Sequence, residues 1–127
     1  MPAKPKLNSI IYLWFPVIIW AVVIFAFSSI TQIVVSQFFV WDFVAKKIAH
    51  ISEYSILFVL IFRATKGNYL TSFVLTMLYA TSDEFHQSFI PGRSAALYDL
   101  GFDLSGSNIA AYIVWKLKLF QNSKPKK

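Results

Sequence analysis

Residues 10–29, IIYLWFPVIIWAVVIFAFSS, carry no charged side chain. Roughly 20 consecutive apolar residues suffice to carry a helix across the hydrocarbon of a bilayer, so this run predicts a membrane span. Pro16 lies in its first half, where a membrane helix tolerates the missing backbone donor. Basic residues precede the run and Ala26-Phe27-Ser28 loosely resembles a cleavage site. The run is nevertheless longer than the apolar core of a secretory signal, and it reads as a retained first span.

Working outward, three further segments read as helices of similar length. The second runs over about 43–62, with Lys46, Lys47, His50 and Glu53 in its first half and an apolar second half. The third, over about 69–90, reverses that order and ends in Asp83, Glu84, His86 and Gln87 before the turn signal Pro91-Gly92. The fourth starts near Tyr98 or Asp99 and reaches about Trp115. A connection as short as 65–68 makes its flanking helices antiparallel neighbours. The expected fold is all-α, a compact bundle of four transmembrane helices in one domain over 1–120, with a disordered basic tail over 121–127.

Composition agrees. Hydrophobic residues make up 57% of the 127, above the roughly 45–50% usual for soluble domains. Cysteine is absent, so neither disulfides nor thiolate chemistry are available. The net charge of +6 comes largely from Lys4, Lys6, Lys116, Lys118, Lys124, Lys126 and Lys127 at the two ends, where basic residues anchor spans to an anionic leaflet. That distribution argues against nucleic acid as a partner. With Arg63 and Lys66 these lysines put nine basic residues on one side of the bundle, against Lys46, Lys47 and Arg93 on the other, which together are all twelve. The positive-inside bias then places both termini in the cytoplasm and the first and third loops outside. The expected setting is the bacterial cytoplasmic membrane, multi-pass, with the lipid bilayer as the first partner.

Charge inside such spans is costly and usually faces a bundle interior or a wet cavity. Lys46, His50 and Glu53 recur at helical spacing on the second segment, Asp83 and Gln87 on the third, and Asp99, Asp103, Gly106 and Ala110 on the fourth. At about 1.5 Å per residue, Glu53 lies roughly 15 Å from the outer end of its helix and Asp83 about 11 Å from Pro91. These residues therefore converge at similar depth in the outer half of one bundle. Gly106 and Ala110 form a small pair that lets two helices approach closely. Acids outnumber bases in this region, so either some acids are neutral, or His50 and His86 are protonated, or a cation joins them.

Two chemistries fit. Glu53, Asp83, Glu84 and His50 form a candidate acid/base set, because carboxylates in unlike surroundings can divide into one protonated and one ionised. Lys46, Gln87, Arg93, Asp99 and Asp103 are candidate ligand contacts, Arg93 having the planar fork suited to phosphate or carboxylate. The bland alternative is an interhelical network in which Lys46, Lys47 and Arg93 neutralise the acids. His50 with Glu84, Asp99 or His86 has donors that suit zinc, manganese or iron, but no defining metal spacing is present. Metal and cofactor are left open. His86 falls off the Asp83–Gln87 stripe and is expected to touch another helix or the outer interface. Trp14, Trp20, Trp41 and Trp115 read as lipid-facing or interfacial anchors.

The chain resembles the VanZ-like family of small bacterial membrane proteins, named for a teicoplanin-resistance protein. The matching residues are Phe27-Ser28-Ser29, then Lys46, His50, Glu53, Tyr54 and Leu57, then Ser82-Asp83-Glu84-Phe85-His86-Gln87 leading to Pro91-Gly92-Arg93, and finally Asp99, Asp103 and Gly106. The acidic-histidine run followed by Pro-Gly-Arg is the specific part, and the likeness extends over roughly 25–111. Two departures stand out. Asp103 takes a position where asparagine is common, and Ala110-Ala111 replaces a usual glycine. The resemblance implies an integral membrane protein and a part in glycopeptide tolerance. Together with the residues it leads to an expected partner, an anionic lipid or lipid-linked cell-wall precursor, engaged from the extracytoplasmic side.

Overall fold

The computed structural model describes residues 4, 6–30, 37–91 and 97–117, the side chains of Phe39, Leu97, Tyr98 and Asp99 excepted. Four helices follow in order: α1 Leu7–Ser29, α2 Phe39–Ala64, α3 Tyr69–Gln87 and α4 Leu97–Leu117. The expected tail over 121–127 lies outside the described residues.

Each helix starts and stops for local reasons. α1 runs without interruption through Pro16. α2 begins earlier than the apolar pattern suggests, because Asp42 supplies a first-turn acid and pairs with Lys46 one turn on, at 2.6 Å. α2 closes in a Schellman motif: the Gly67 amide donates to Phe62 O (2.9 Å) and the Lys66 amide to Arg63 O (3.2 Å). Lys66 itself takes the left-handed conformation, with φ at 56°. Asn68 then caps α3, its side chain accepting from the Thr71 amide at 3.0 Å. α3 stops at Gln87, sooner than 90, because Phe89 and Ile90 bond back only three residues and tighten the last turn.

Polar side chains share the interior with apolar ones, and many large apolar side chains lie outside it. The buried residues include Ser28, Ser72, Thr76, Asp83, Gln87, Asp103 and Ser107, while Phe15, Ile18, Val22, Leu70, Leu78 and Phe85 are among many large apolar side chains left exposed. On α3 the buried positions Ser72, Thr76, Ala80, Asp83 and Gln87 trace one helical face. Their hydroxyls are satisfied locally: Ser72 donates to Asn68 O and Thr76 to Ser72 O. Apolar contact holds the rest together. Val17 and Ile24 of α1 pack on Tyr54, Leu57 and Ile61 of α2, and Phe58 and Phe62 pack on Ala110 and Val114 of α4.

Exposed apolar surface of this extent marks faces that meet a membrane or another protein. Among the described residues, α1 alone is long and apolar enough to cross a membrane by length, hydropathy and charge count. α2 to α4 have the length, since even the 19 residues of α3 rise roughly 28 Å, but the polar side chains on their inner faces lower their hydropathy.

α2 and α4 approach closely at Gly106. A Cβ there would collide with the backbone carbonyl of Ile51. The Ser55 hydroxyl fills the same crossing, 2.6 Å from Ile51 O and 2.8 Å from Gly106 O. Close approach is what the Gly106 and Ala110 pair predicts.

Candidate polar centre at one end of the bundle

The antiparallel helices bring the C-terminal ends of α1 and α3 beside the N-terminal halves of α2 and α4, and the polar side chains meet there. His50 Nδ1 of α2 lies 3.1 Å from Asp103 Oδ1 of α4, whose side chain is wholly buried. Tyr54 of α2 donates to Asp83 Oδ2 of α3 at 2.9 Å, and Gln87 Nε2 donates to the same oxygen at 2.9 Å. Gln87 Nε2 also reaches Ser28 Oγ of α1 at 3.2 Å. All four helices are thus tied together through side chains that each carry a hydrogen-bonding group.

Some carboxylate oxygens of the centre accept no hydrogen bond from the described residues. Asp83 Oδ1, both Glu84 oxygens and Asp103 Oδ2 are shut off from solvent and have no hydrogen-bond partner among the described residues. An ionised carboxylate is an acceptor only, whereas a protonated one also donates. Leaving such an acceptor buried and unsatisfied costs about 1–3 kcal/mol or more. Glu84 lies within electrostatic reach of Asp103, His50, Asp83 and Lys47. The arrangement can therefore take up a proton, or a donor group from a bound molecule, between α3 and α4. Among the described residues no group of three or more His, Cys, Asp or Glu side chains is placed to hold a metal ion.

The other candidates are placed as follows. Glu53 is half-buried, within electrostatic reach of His50 and Tyr79, and its backbone carbonyl accepts from Trp20 Nε1 at 2.9 Å. Trp20 thus points toward α2 through its N–H, while Trp41 and Trp115 are exposed as interfacial anchors would be. Lys46 is engaged by Asp42. His86 reaches α1, with Nε2 3.0 Å from Ser29 Oγ and its ring stacked on Phe25 at 4.4 Å. The side chains of Arg93 and Asp99 lie outside the described residues.

The geometry gives a structural role to two residues, Asp42 and Tyr54, the second of which enters the sequence analysis only as a family-matching position. Asp42 is legible as the acid four residues before Lys46. The Tyr54 hydroxyl is not, because its acceptor lies 29 positions along the chain, on another helix. Lys47 sits at the same end, its ammonium 5.2 Å from the Phe43 ring centroid and 5.1 Å from that of Phe102.

The sequence model of the VanZ/LLP1 family matches residues 13–121, a stretch that includes every side chain of this polar centre. No curated protein and no solved structure matches the chain.

Proposed function

The chain belongs to the VanZ/LLP1 family, and we propose that it spans the cytoplasmic membrane four times and uses its polar centre on an anionic, lipid-linked molecule of the cell envelope. Both termini lie in the cytoplasm and the centre opens to the extracytoplasmic side, following the distribution of lysine and arginine. The observation that carries the reading is the set of unsatisfied carboxylate oxygens on Asp83, Glu84 and Asp103. A purely structural network in lipid would close its own hydrogen bonds.

In this reading Arg93 holds a phosphate or carboxylate at the mouth, assisted by Lys46 where Asp42 yields it. Asp99 and the buried Gln87 and Asp103 are the further candidate contacts. Glu84, Asp83, Glu53 and His50 move or store the proton, a protonated carboxyl donating to the anion and an ionised one accepting from it. The family's name links the activity to glycopeptide tolerance, through a surface precursor or the membrane patch where the drug docks. Glu84→Gln keeps shape and removes the titratable group. It should abolish teicoplanin tolerance at unchanged membrane abundance, as should Arg93→Ala. Full tolerance in both variants would refute the reading.

A second reading has its own support. The contacts His50–Asp103, Tyr54–Asp83 and Gln87–Ser28 join all four helices, as a scaffold's specificity network would. It predicts that charge-neutral, well-packed replacements preserve function. A proton-linked carrier has less support, since Ser72 and Thr76 below the centre donate to their own helix.

A further inference from the structure

We infer that Ser29 and His86 form a nucleophile–base pair that takes the acyl group of a fatty-acyl ester at the end of the bundle. The pair stands beside the polar centre and goes beyond the function proposed for it, sharing with that reading the bilayer around the helices.

Ser29 is the last residue of α1, and His86 lies in the last turn of α3. His86 Nε2 stands 3.0 Å from Ser29 Oγ, the reach at which an imidazole takes a hydroxyl proton. Phe25 O lies 2.8 Å from the same Oγ. The hydroxyl hydrogen therefore has two acceptors, and rotation about the Cβ–Oγ bond carries it from the carbonyl to the ring. Ser52, Ser82 and Ser88 are exposed as well, but each bonds a carbonyl three or four residues back and meets no histidine among the described residues. Ser28, one residue earlier on α1, is buried and bonded to Gln87. The two neighbouring serines thus serve different centres.

Two features suit His86 to the part of base. Its ring is stacked on Phe25 with centroids 4.4 Å apart and planes 27° from parallel, which holds Nε2 toward Ser29 without a third polar group. Its place in the last turn of α3 is where a helix end favours a cation, and an aromatic face attracts one as well. The imidazolium formed when the ring takes the proton is formed between the two.

Ser29 is exposed and His86 half-buried, so a substrate reaches the hydroxyl without entering the bundle. Phe25, Phe27 and Phe85, close to the pair in sequence, are at least half exposed, which suits a carbonyl joined to a hydrocarbon chain. α1 has 23 residues and rises roughly 34 Å, against about 30 Å of hydrocarbon. In the four-span reading its last residue therefore sits at the boundary, at the depth of the ester bonds of membrane lipids. There Ser29 Oγ attacks the ester carbonyl carbon while its proton passes to His86 Nε2. The tetrahedral intermediate breaks its bond to the alcohol oxygen, and the alcohol leaves with the proton from Nε2. Water, giving its proton to the same nitrogen, then adds to the acyl-serine, and the fatty acid leaves as Ser29 recovers its hydrogen.

The test uses the full chain in nanodiscs and a fluorophosphonate with a long alkyl chain, which phosphonylates activated serines. The adduct should map by mass spectrometry to Ser29, with Ser82 and Ser88 unmodified. His86→Ala should slow labelling about a hundredfold or more, and free imidazole in the buffer should restore much of it. A histidine that merely braces α3 against α1 would not be replaced by imidazole in solution. Hydrolysis of nitrophenyl palmitate should be lost in Ser29→Ala at unchanged melting temperature, and a fluorophosphonate with an ethyl chain should label more slowly than the long one. No adduct at Ser29, wild-type labelling in His86→Ala, no rescue by imidazole, or equal labelling by the ethyl probe would each overturn the inference. Labelling is read without teicoplanin, so it stands or falls apart from tolerance in Glu84→Gln and Arg93→Ala.

Discussion

His50 and Asp103 meet at 3.1 Å across the α2–α4 seam, and the Asp103 side chain has no exposure at all. A contact of this kind is worth most when neither partner is missing. Truncating one side of a buried pair leaves an uncompensated polar group and typically costs about 3–5 kcal/mol, while replacing both by apolar residues is often neutral. His50→Ala should therefore lower the unfolding midpoint in detergent sharply. His50→Leu combined with Asp103→Leu should recover most of the loss. Equal destabilisation by the single and double variants would mean the contact is incidental.

The Tyr54 hydroxyl donates to Asp83 from a fully buried position. Tyr54→Phe removes that donor with little change in volume. Hydrogen bonds to charged groups contribute about 1.5–3 kcal/mol, so a loss of that order in chemical denaturation is expected. Gln87 remains on the same oxygen, and Tyr54→Phe with Gln87→Leu should cost more than the sum of the two alone.

Gly106 is fixed by the carbonyl of Ile51, a backbone atom that cannot rotate away. Gly106→Ala should push α2 from α4 and cost on the order of 1–3 kcal/mol, the usual range for overpacking. Gly101, whose Cβ would meet nothing within 4 Å, is the control. Gly101→Ala should hold or raise stability by up to about 1 kcal/mol. Similar melting of the two alanine variants would contradict the close crossing.

The left-handed Lys66 is a site for improvement. Its φ of 56° costs a residue with a Cβ roughly 1–2 kcal/mol, which glycine avoids. Lys66→Gly should raise the melting temperature, less its own larger unfolded-state entropy. Removing the neighbouring cap by Asn68→Ala should lower stability by about 1 kcal/mol. Thermal scans of both variants in one detergent would settle the signs.

Because the chain has no cysteine, single cysteines report topology without background. Lys66→Cys should label with an impermeant reagent only after the membrane is opened, and Ser88→Cys should label in intact cells. The reverse pattern would turn the polar centre to the cytoplasm and remove the basis for an envelope substrate.

Four helices were readable from hydropathy and the turn at 65–68, because a long apolar run has few other fates. Their ends were less so. The start of α2 at Phe39 depends on Asp42, an acid hidden among Trp41 and Phe43, and the end of α3 depends on three-residue bonds that leave no mark in composition. Within the polar centre, spacing placed His50, Asp83 and Asp103 on faces of single helices. Which face meets which is decided by interhelical contacts such as Gly106 on Ile51. Periodicity along one segment carries no information about its neighbour's rotation. That is why the partners of Tyr54 and Trp20, each on another helix, are not legible in the sequence, whereas the Asp42–Lys46 pair, four residues apart on one helix, is.

An interior that mixes hydroxyls and carboxylates with apolar side chains, beneath exposed isoleucine, leucine and phenylalanine, has an effect on how mutations will be tolerated. In a soluble domain, drift toward polarity is harmless at the rim and damaging at the centre. In the four-span reading proposed above the tolerance map is turned around: serine or asparagine introduced at Ile18 or Leu78 meets the bilayer, while a similar change beside Thr76 meets a neighbour able to bond it. In that same reading, laboratory schemes that stabilise proteins by decorating their outsides with charge would strip this chain from its bilayer.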